Sequence, residues 1–233
     1  MGNSFTLTDT PTLDDLQVFL ARAARIEEGS VRLIAGSGVL AAYAAVFFPQ
    51  GLLDQSPTVL GLRTVALSDS AEAFDVVVPI RSLLQRLETA QEIRGAALAA
   101  GKPDVVGPVT ITLPMEVNTV TWSAISPPRG GWRPIDGTRP GVLEHAARAG
   151  IDEVASTVPD AVGEQIVRRV RSEVWSRGIQ GLEHVPAGAA FAALSLGFLG
   201  DDEVRMFETG PWTRLTTQRG HVLVKRKDWT LSR

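Results

Sequence analysis

The stretch VRLIAGSGVLAAYAAVFF, residues 31–48, decides the fold class of this 233-residue chain. Two apolar runs, 31–35 and 39–48, flank the tripeptide Gly36-Ser37-Gly38. Because glycine reaches the positive φ angles of two-residue hairpin turns, the tripeptide predicts a tight turn between two antiparallel strands. Further apolar runs follow at 58–67 and 74–80, and their connection, 68–73, is too short for a crossover helix. We therefore expect an α+β fold with a largely antiparallel sheet and flanking helices, in one piece or in two halves.

The same turn matches a second pattern, the G-x-G-x-x-A signature of dinucleotide-binding loops, as Gly36-Ser37-Gly38-Val39-Leu40-Ala41. That signature requires an acidic residue about 20 residues later, at the end of the next strand. Here Asp54 precedes the next apolar run, and that run carries only Arg63. The hairpin interpretation is therefore favoured, and we expect no cofactor.

Residues 33–53 carry no charge and are numerous enough to raise the question of a membrane span. Glycines at 36 and 38 and the sequence Pro49-Gln50-Gly51 leave an uninterrupted apolar block of only 39–48. As a helix that block would rise about 15 Å, roughly half of a bilayer core. The N-terminus also lacks the basic and apolar regions of a signal peptide. We expect a core segment, no membrane contact and a cytoplasmic location.

Helical periodicity marks five segments. A first helix is predicted to begin at the cap Thr12 and to bury one face up to Ile26, and a second follows Pro79 with Ser82 as its cap. The others are 142–149, 161–177 and the alanine-rich 187–199. Within 161–177 the spacing predicts one apolar stripe, formed by Val162, Ile166, Val170 and Val174.

Additional strands are predicted at 109–113, 117–125, 204–207, 212–217 and 221–226. Between them, residues 126–141 contain four prolines, four glycines and three arginines, a composition typical of a linker or a long loop. We therefore expect an N-terminal α+β half over 1–125 and a helical, then β, half over 142–233, which can also form one domain.

Composition excludes several classes of protein. Without cysteine, the chain has no disulfide scaffold, thiol nucleophile or thiolate metal site. With 44% hydrophobic residues and a net charge of −3, it is too apolar and too weakly charged for a disordered protein. The three histidines have no second ligand type at metal spacing, so we expect no metal site, and we assign no catalytic residue.

Candidate ligand-binding residues cluster in two short segments. Pro127 to Pro134 contains Arg129, Trp132 and Arg133, and the segment 210–214 repeats the chemistry with Trp212 and Arg214. Arginine binds carboxylate or phosphate in a two-point fashion, and tryptophan stacks on flat ligands. The alternative is that each tryptophan fills the core while its arginine lies on the surface.

Charge is distributed unevenly along the chain. Residues 1–116 carry a net charge of −5 and residues 117–233 one of +2, with +5 in 205–233 alone. In that tail, Arg219, Lys225, Arg226 and Lys227 are candidate nucleic-acid-binding residues. An edge strand protected by cations, or a patch that meets the acidic half of another copy, explains the same pattern.

The segments 57–63, 127–134 and 210–214, with 20 arginines to three lysines, resemble an uncharacterised family of hypothetical proteins from actinobacteria. The resemblance implies no activity. The leading hypothesis is a non-catalytic cytoplasmic protein that forms a homo-oligomer or binds a partner protein. The alternatives are a binder or enzyme for a small anionic ligand, through 127–134, and a nucleic-acid binder through the basic C-terminal hairpin.

Overall fold

The structure, a computed structural model, describes residues 4–27, 29–51, 54–68, 73–101, 107–117, 120–158 and 163–226. In these residues five helices accompany a large antiparallel sheet, which confirms the α+β prediction. The strands are β1 (Ser4–Leu7), β2 (Ser30–Gly36), β3 (Val39–Phe47), β4 (Thr58–Ala66), β5 (Phe74–Pro79), β6 (Val109–Thr112), β7 (Arg133–Thr138), β8 (Gly178–Ile179), β9 (Leu182–Pro186), β10 (Val204–Thr209), β11 (Trp212–Thr217) and β12 (Gly220–Lys225). The helices are α1 (Thr10–Ile26), α2 (Ile80–Ala99), α3 (Pro140–Thr157), α4 (Glu164–Ser176) and α5 (Ala187–Ser195).

The chain divides into two compact units. Unit 1 comprises Met1–Ala44 and Leu62–Ile125, and unit 2 comprises Ala45–Gly61 and Ser126–Arg233. Strands β3 and β4 therefore contribute residues to both units.

The hairpin at the centre of unit 1 is confirmed. Gly36 pairs with Val39 at the closed end of β2 and β3, and the two turn residues, Ser37 and Gly38, have φ angles of 53° and 76°. Both central residues of a type I′ turn need positive φ. The alternating buried residues of β2, Val31, Leu33 and Ala35, then place one face of the sheet in the core. Strands follow the order β5-β2-β3-β4 in this unit, and β1 pairs with β6 in a separate antiparallel ribbon.

Two helix starts in unit 1 differ from the predicted ones. Helix α1 begins at Thr10, and its cap is Asp9 rather than Thr12, because the Asp9 carboxylate accepts a hydrogen bond of 2.8 Å from the Thr12 amide. Helix α2 begins at Ile80 directly after Pro79, without a side-chain cap, so the predicted role of Ser82 was wrong.

The predicted strand at 117–125 was also wrong. Residues Thr121–Ala124 form a short 3-10 helix that buries Trp122, and the Val117 amide makes a hydrogen bond of 2.8 Å to the Val77 carbonyl. Trp122 is thus in the core while Val117, Val120 and Ile125 are half-buried, and hydrophobicity alone does not separate such a segment from a strand.

In unit 2 the strands follow the order β4-β12-β11-β10-β7. Strand β7 lies inside the segment 126–141, which the composition indicated to be a linker or loop. It lies at the end of the strand order, where Pro134 and Gly137 are tolerated because an edge strand needs fewer ladder hydrogen bonds.

The helices of unit 2 depend on small side chains for their packing. Helix α5 buries most of its alanines, and its Phe191 stacks on Trp175 of α4 with ring centroids 4.5 Å apart. The stripe predicted on α4 is only partly buried: Val174 is in the core, Ile166 is 51% exposed, and Val162 lies outside the described residues.

Candidate functional site

The centre of the candidate site is the guanidinium group of Arg214, which lies between two aromatic rings. Its Cζ atom is 4.6 Å from the ring centroid of Trp132 and 4.5 Å from that of Phe207. Strand pairing explains the contact with Phe207, because Phe207 of β10 is directly opposite Arg214 of β11. On its other side Phe207 is opposite Pro134 of β7, which brings the segment of Trp132 to the same place. The structure thus brings together the segments 127–134 and 210–214, which the sequence predicted as two separate candidate sites.

The electrostatic environment of Arg214 is unusual for an arginine. Burial, followed by repulsion from Arg205, lowers the pKa of Arg214 below its ordinary value. Its Nε atom is buried without a hydrogen-bond partner, and none of the described residues forms a salt bridge with it. The two rings therefore supply its main stabilising contacts.

The other residues of the 127–134 segment take different positions. Trp132 is half-buried, and its Nε1 donates a hydrogen bond of 3.1 Å to the Pro128 carbonyl, which fixes the ring over Arg214. Arg133 is exposed and pairs with Glu208 at 3.1 Å. Arg129 is exposed. Of the five predicted ligand residues, the structure therefore brings Trp132 and Arg214 into contact, while Arg133 is held by a carboxylate of β10.

Trp212 is in the core of unit 2, only 5% exposed. It pairs with Thr209 on one side and with Lys225 on the other. This placement corresponds to the packing alternative considered for the tryptophans, and a ligand role for Trp212 stays a prediction.

The basic C-terminal residues do not converge on one point. Arg219 lies in the turn between β11 and β12 and donates a hydrogen bond of 3.0 Å to the Leu199 carbonyl. Lys225 is half-buried and Arg226 is exposed, whereas Lys227 lies outside the described residues. The five helices together carry nine basic and nine acidic residues, so their summed charge is zero. A nucleic-acid role for these residues stays a prediction.

A cavity of about 710 Å³ in unit 2 was missed by the sequence reasoning. It lies between α3, the C-terminal end of α4 and β8. The apolar part of its wall consists of Val142, Ala146, Ala149, Gly150, Val174 and Ile179. The small residues of α3 recur at three- and four-residue spacing, which was a detectable signal, but sequence does not show which distant residues complete the wall.

Charged side chains line the same cavity. Glu153 of α3 accepts two hydrogen bonds from Nη1 of Arg177, at 2.7 and 2.9 Å, and Glu173 accepts one from Nη2 at 3.2 Å. The hydrogen bond with Glu153 is the main reason why the pKa of Arg177 is raised. Arg139 and His145 also line the cavity, and both are exposed. Arg139 forms no salt bridge with any of the residues that the structure describes.

A second concave surface lies in unit 1, between α2 and β6, with a volume of about 540 Å³. We call it the α2–β6 groove. Buried Ile111 lies on its floor, and Ile93 and Met115 lie on its sides with 65% and 88% of their surfaces exposed. Gln85 and Arg86 provide polar groups beside them.

Within the described ranges, no group of three or more histidine and carboxylate residues could hold a metal ion. The same residues contain no helix that is long and apolar enough to cross a membrane. His221 has its Nδ1 atom 3.1 Å from the Thr216 hydroxyl, and Nε2 of His184 is buried without a hydrogen-bond partner.

Comparison with known structures identifies related folds. The β subunit of DNA polymerase III from Caulobacter crescentus superimposes with a TM-score of 0.51 at 11% identity, over 97% of this chain and 65% of that one. The β subunit from Pseudomonas aeruginosa superimposes with a TM-score of 0.49 at 14% identity, over 98% of this chain and 66% of that one. A DnaN sliding clamp from Bartonella birtlesii bound to griselimycin has a TM-score of 0.49 at 12% identity, over 99% of this chain and 66% of that one. The chain thus spans about two thirds of the length of these proteins, and at such identity the match to the Caulobacter protein establishes a similar fold alone.

Comparison with protein families gives two matches. Residues 1–105 match a domain of unknown function (DUF8010), and residues 127–229 match a second domain of unknown function (DUF8185). No curated protein matches the chain. Each match covers less than half of the chain, and the fold of the chain is similar to that of a bacterial polymerase III β subunit.

Proposed function

We propose that this protein binds another protein chain without catalysing a reaction, and that the α2–β6 groove is its contact surface. The observation that carries the proposal is the exposure of Ile93 and Met115 beside this groove. Water contact with two large apolar side chains is unfavourable, and grouped exposed apolar residues are typical of protein-binding surfaces.

The chemistry of the groove also fits a protein partner. Ile93 and Met115 offer apolar surface to a partner side chain, and the exposed hydroxyl of Thr112 on β6 can bind a backbone group. Arg86 has no salt bridge with a described residue, so it is available to a carboxylate of the partner. An apolar centre with a polar rim is the usual composition of an interface.

The fold comparison supports the same role. The Caulobacter crescentus protein with a similar fold carries the name of a subunit of DNA polymerase III, and a subunit works together with other protein chains. The opposite net charges of 1–116 and 117–233 in this chain favour a second copy as the first partner to examine.

Sedimentation velocity over a range of concentrations tests self-association. We expect the wild-type weight-average sedimentation coefficient to rise with concentration, and the double variant Ile93→Asp/Met115→Asp to remain monomeric. Ile166→Asp on α4 is the matched control, because Ile166 is also exposed but lies outside the groove. Association that persists in the double variant would contradict the assignment of the groove. A monomeric wild type would exclude self-association, and cross-linking from the groove then decides between a different partner and none.

A small anionic ligand at Arg214 is the second candidate function. It is favoured by the aromatic contacts of Arg214 and by the absence of a salt bridge to it among the described residues. Exposed Arg129 and the ion-paired Arg133 would assist at the same segment. A thermal-shift screen with phosphates, nucleotides and carboxylates should raise the Tm of the wild type, and Arg214→Gln and Arg129→Ala should reduce the shift. No shift with any ligand class, or an equal shift in both variants, would contradict this function.

A further inference from the structure

The cavity between α3, α4 and β8 has an apolar wall and a polar mouth. Its volume of about 710 Å³ falls within the usual range of small-molecule sites, roughly 300 to 1,000 Å³. The wall formed by Ala146, Ala149 and Ile179 has no polar side-chain atom to bind a hydrophilic ligand. An occupant therefore needs an apolar body.

The charged side chains around the cavity determine which polar group the bound molecule needs. Arg177 is held by two carboxylates, Glu153 and Glu173, and both oxygens of Glu153 are in hydrogen bonds with it. Arg139, in contrast, lines the cavity without a salt bridge to a described residue. Arg139 is therefore the arginine of this cavity that no described carboxylate holds.

Helix α3 adds to this positive potential. It begins at Pro140 immediately after Arg139, without a side-chain cap and without an acidic residue in its first turn. Gly141 and Val142 of that turn line the cavity, so the positive end of the helix dipole lies beside Arg139. His145, one turn further along, offers an additional hydrogen-bond donor at the same mouth.

We infer that this cavity binds a small organic carboxylate with an apolar ring or chain. The apolar body packs against Ala146, Ala149 and Ile179, and the carboxylate binds Arg139 beside the start of α3. The planar guanidinium of Arg139 matches the two oxygens of a carboxylate, which it can bind through two parallel hydrogen bonds. This site is separate from the α2–β6 groove and does not depend on the proposed protein-binding function.

Ligand-detected NMR titrations with two matched probes test the inference. The probes are 2-naphthoate, which carries the carboxylate, and 2-naphthylmethanol, which has the same ring without the charge. We expect the full-length wild-type protein to bind 2-naphthoate saturably and about tenfold more tightly than the alcohol, since a hydrogen bond to a charged group contributes this order of affinity.

Four variants locate the binding. Ala149→Trp should fill the cavity and abolish binding of both probes, whereas Ala155→Trp, exposed on the same helix outside the cavity, should leave both unchanged. Arg139→Gln should weaken 2-naphthoate about tenfold and leave the alcohol unaffected. Arg148→Gln is the control, because Arg148 pairs with Glu144 and does not line the cavity. Equal affinity for the two probes, no saturable binding of 2-naphthoate, or binding unchanged in Ala149→Trp would each overturn the inference.

Discussion

The guanidinium of Arg214 and the indole ring of Trp132 are in contact, with 4.6 Å between Cζ and the ring centroid, although 82 residues separate them in the chain. The contact ties the segment before β7 to β11. It also accounts for a half-buried arginine that has no carboxylate partner within the described residues, because the faces of two aromatic rings attract the cation.

A double-mutant cycle measures the strength of this contact. We expect Arg214→Gln and Trp132→Leu to show a coupling free energy of unfolding of about 1 kcal/mol, the usual size of a partly desolvated cation–π pair. Chemical denaturation of the four proteins gives the value. Arg219→Gln combined with Trp132→Leu is the control and should be additive, because Arg219 donates a hydrogen bond to the Leu199 carbonyl and not to Trp132. Coupling near zero in the first cycle would show that the contact contributes nothing to stability.

Gly150 of α3 has a specific packing role. A Cβ atom there would lie 2.3 Å from Cζ3 of Trp175, far below van der Waals distance. Gly150→Ala gains about 1 kcal/mol of helix propensity but overpacks the core at a cost of about 1 to 3 kcal/mol, so we expect net destabilisation. Gly95→Ala in α2 is the matched control: nothing lies within 4 Å of its Cβ position, and it should stabilise the protein. Thermal unfolding of both variants checks the opposite signs.

Stability at low pH should depend on the helix cap Asp9. Hydrogen bonds from Thr12, first from its side chain and then from its backbone amide, hold the pKa of Asp9 below its ordinary value of 3.8. A carboxylate whose pKa is depressed on folding stabilises the protein above the pKa of the unfolded chain, and this contribution disappears as the pH falls through the folded-state pKa. We expect Asp9→Ala to be less stable than wild type at pH 7, with a difference that shrinks below about pH 4.

Urea denaturation at pH 7, 5 and 3 measures this difference. Asp201→Ala, which removes an exposed carboxylate outside any helix, serves as the control for the loss of a negative charge. A difference between wild type and Asp9→Ala that is constant over this range would show that the cap contributes nothing through its charge.

Nucleic-acid binding should be weak. The helices carry no net charge, and Arg219 donates a hydrogen bond to a backbone carbonyl, so neither provides a large excess of cations for phosphates. Fluorescence anisotropy with labelled single- and double-stranded DNA at 20 mM and 150 mM salt tests this. We expect any binding at low salt to vanish at the higher salt. Binding that survives at 150 mM and is weakened by Lys225→Glu and Arg226→Glu would support the nucleic-acid alternative instead.

The parts of the fold that depend on neighbouring residues could be predicted from the sequence. The hairpin at Ser37 and Gly38 follows from the local φ preferences of a two-residue turn. The cap of α1 was misplaced by three residues, because Asp9 and Thr12 can both cap a helix and the choice depends on the entering backbone.

Features that depend on distant residues could not be predicted in this way. One order of elements, a strand followed by a helix and three strands, occurs twice, as β1-α1-β2-β3-β4 and as β9-α5-β10-β11-β12. No repeat is visible in the sequence, because many different residue patterns can form the same order of elements. The contact of Trp132 with Arg214 depends on the register of β7, β10 and β11. The cavity wall likewise combines α3 with residues 174–187, which local periodicity does not relate.

Site-specific cross-linking from the α2–β6 groove tests the central claim, protein binding through this surface, most directly. The photoreactive residue p-benzoylphenylalanine replaces Met115 in cells that naturally express the protein, and Ile166 in the control. The account predicts a discrete covalent adduct from position 115, either a dimer or a complex with one partner, which disappears when Ile93→Asp is added and is absent from position 166. No adduct from position 115, or the same adducts from both positions, would contradict it.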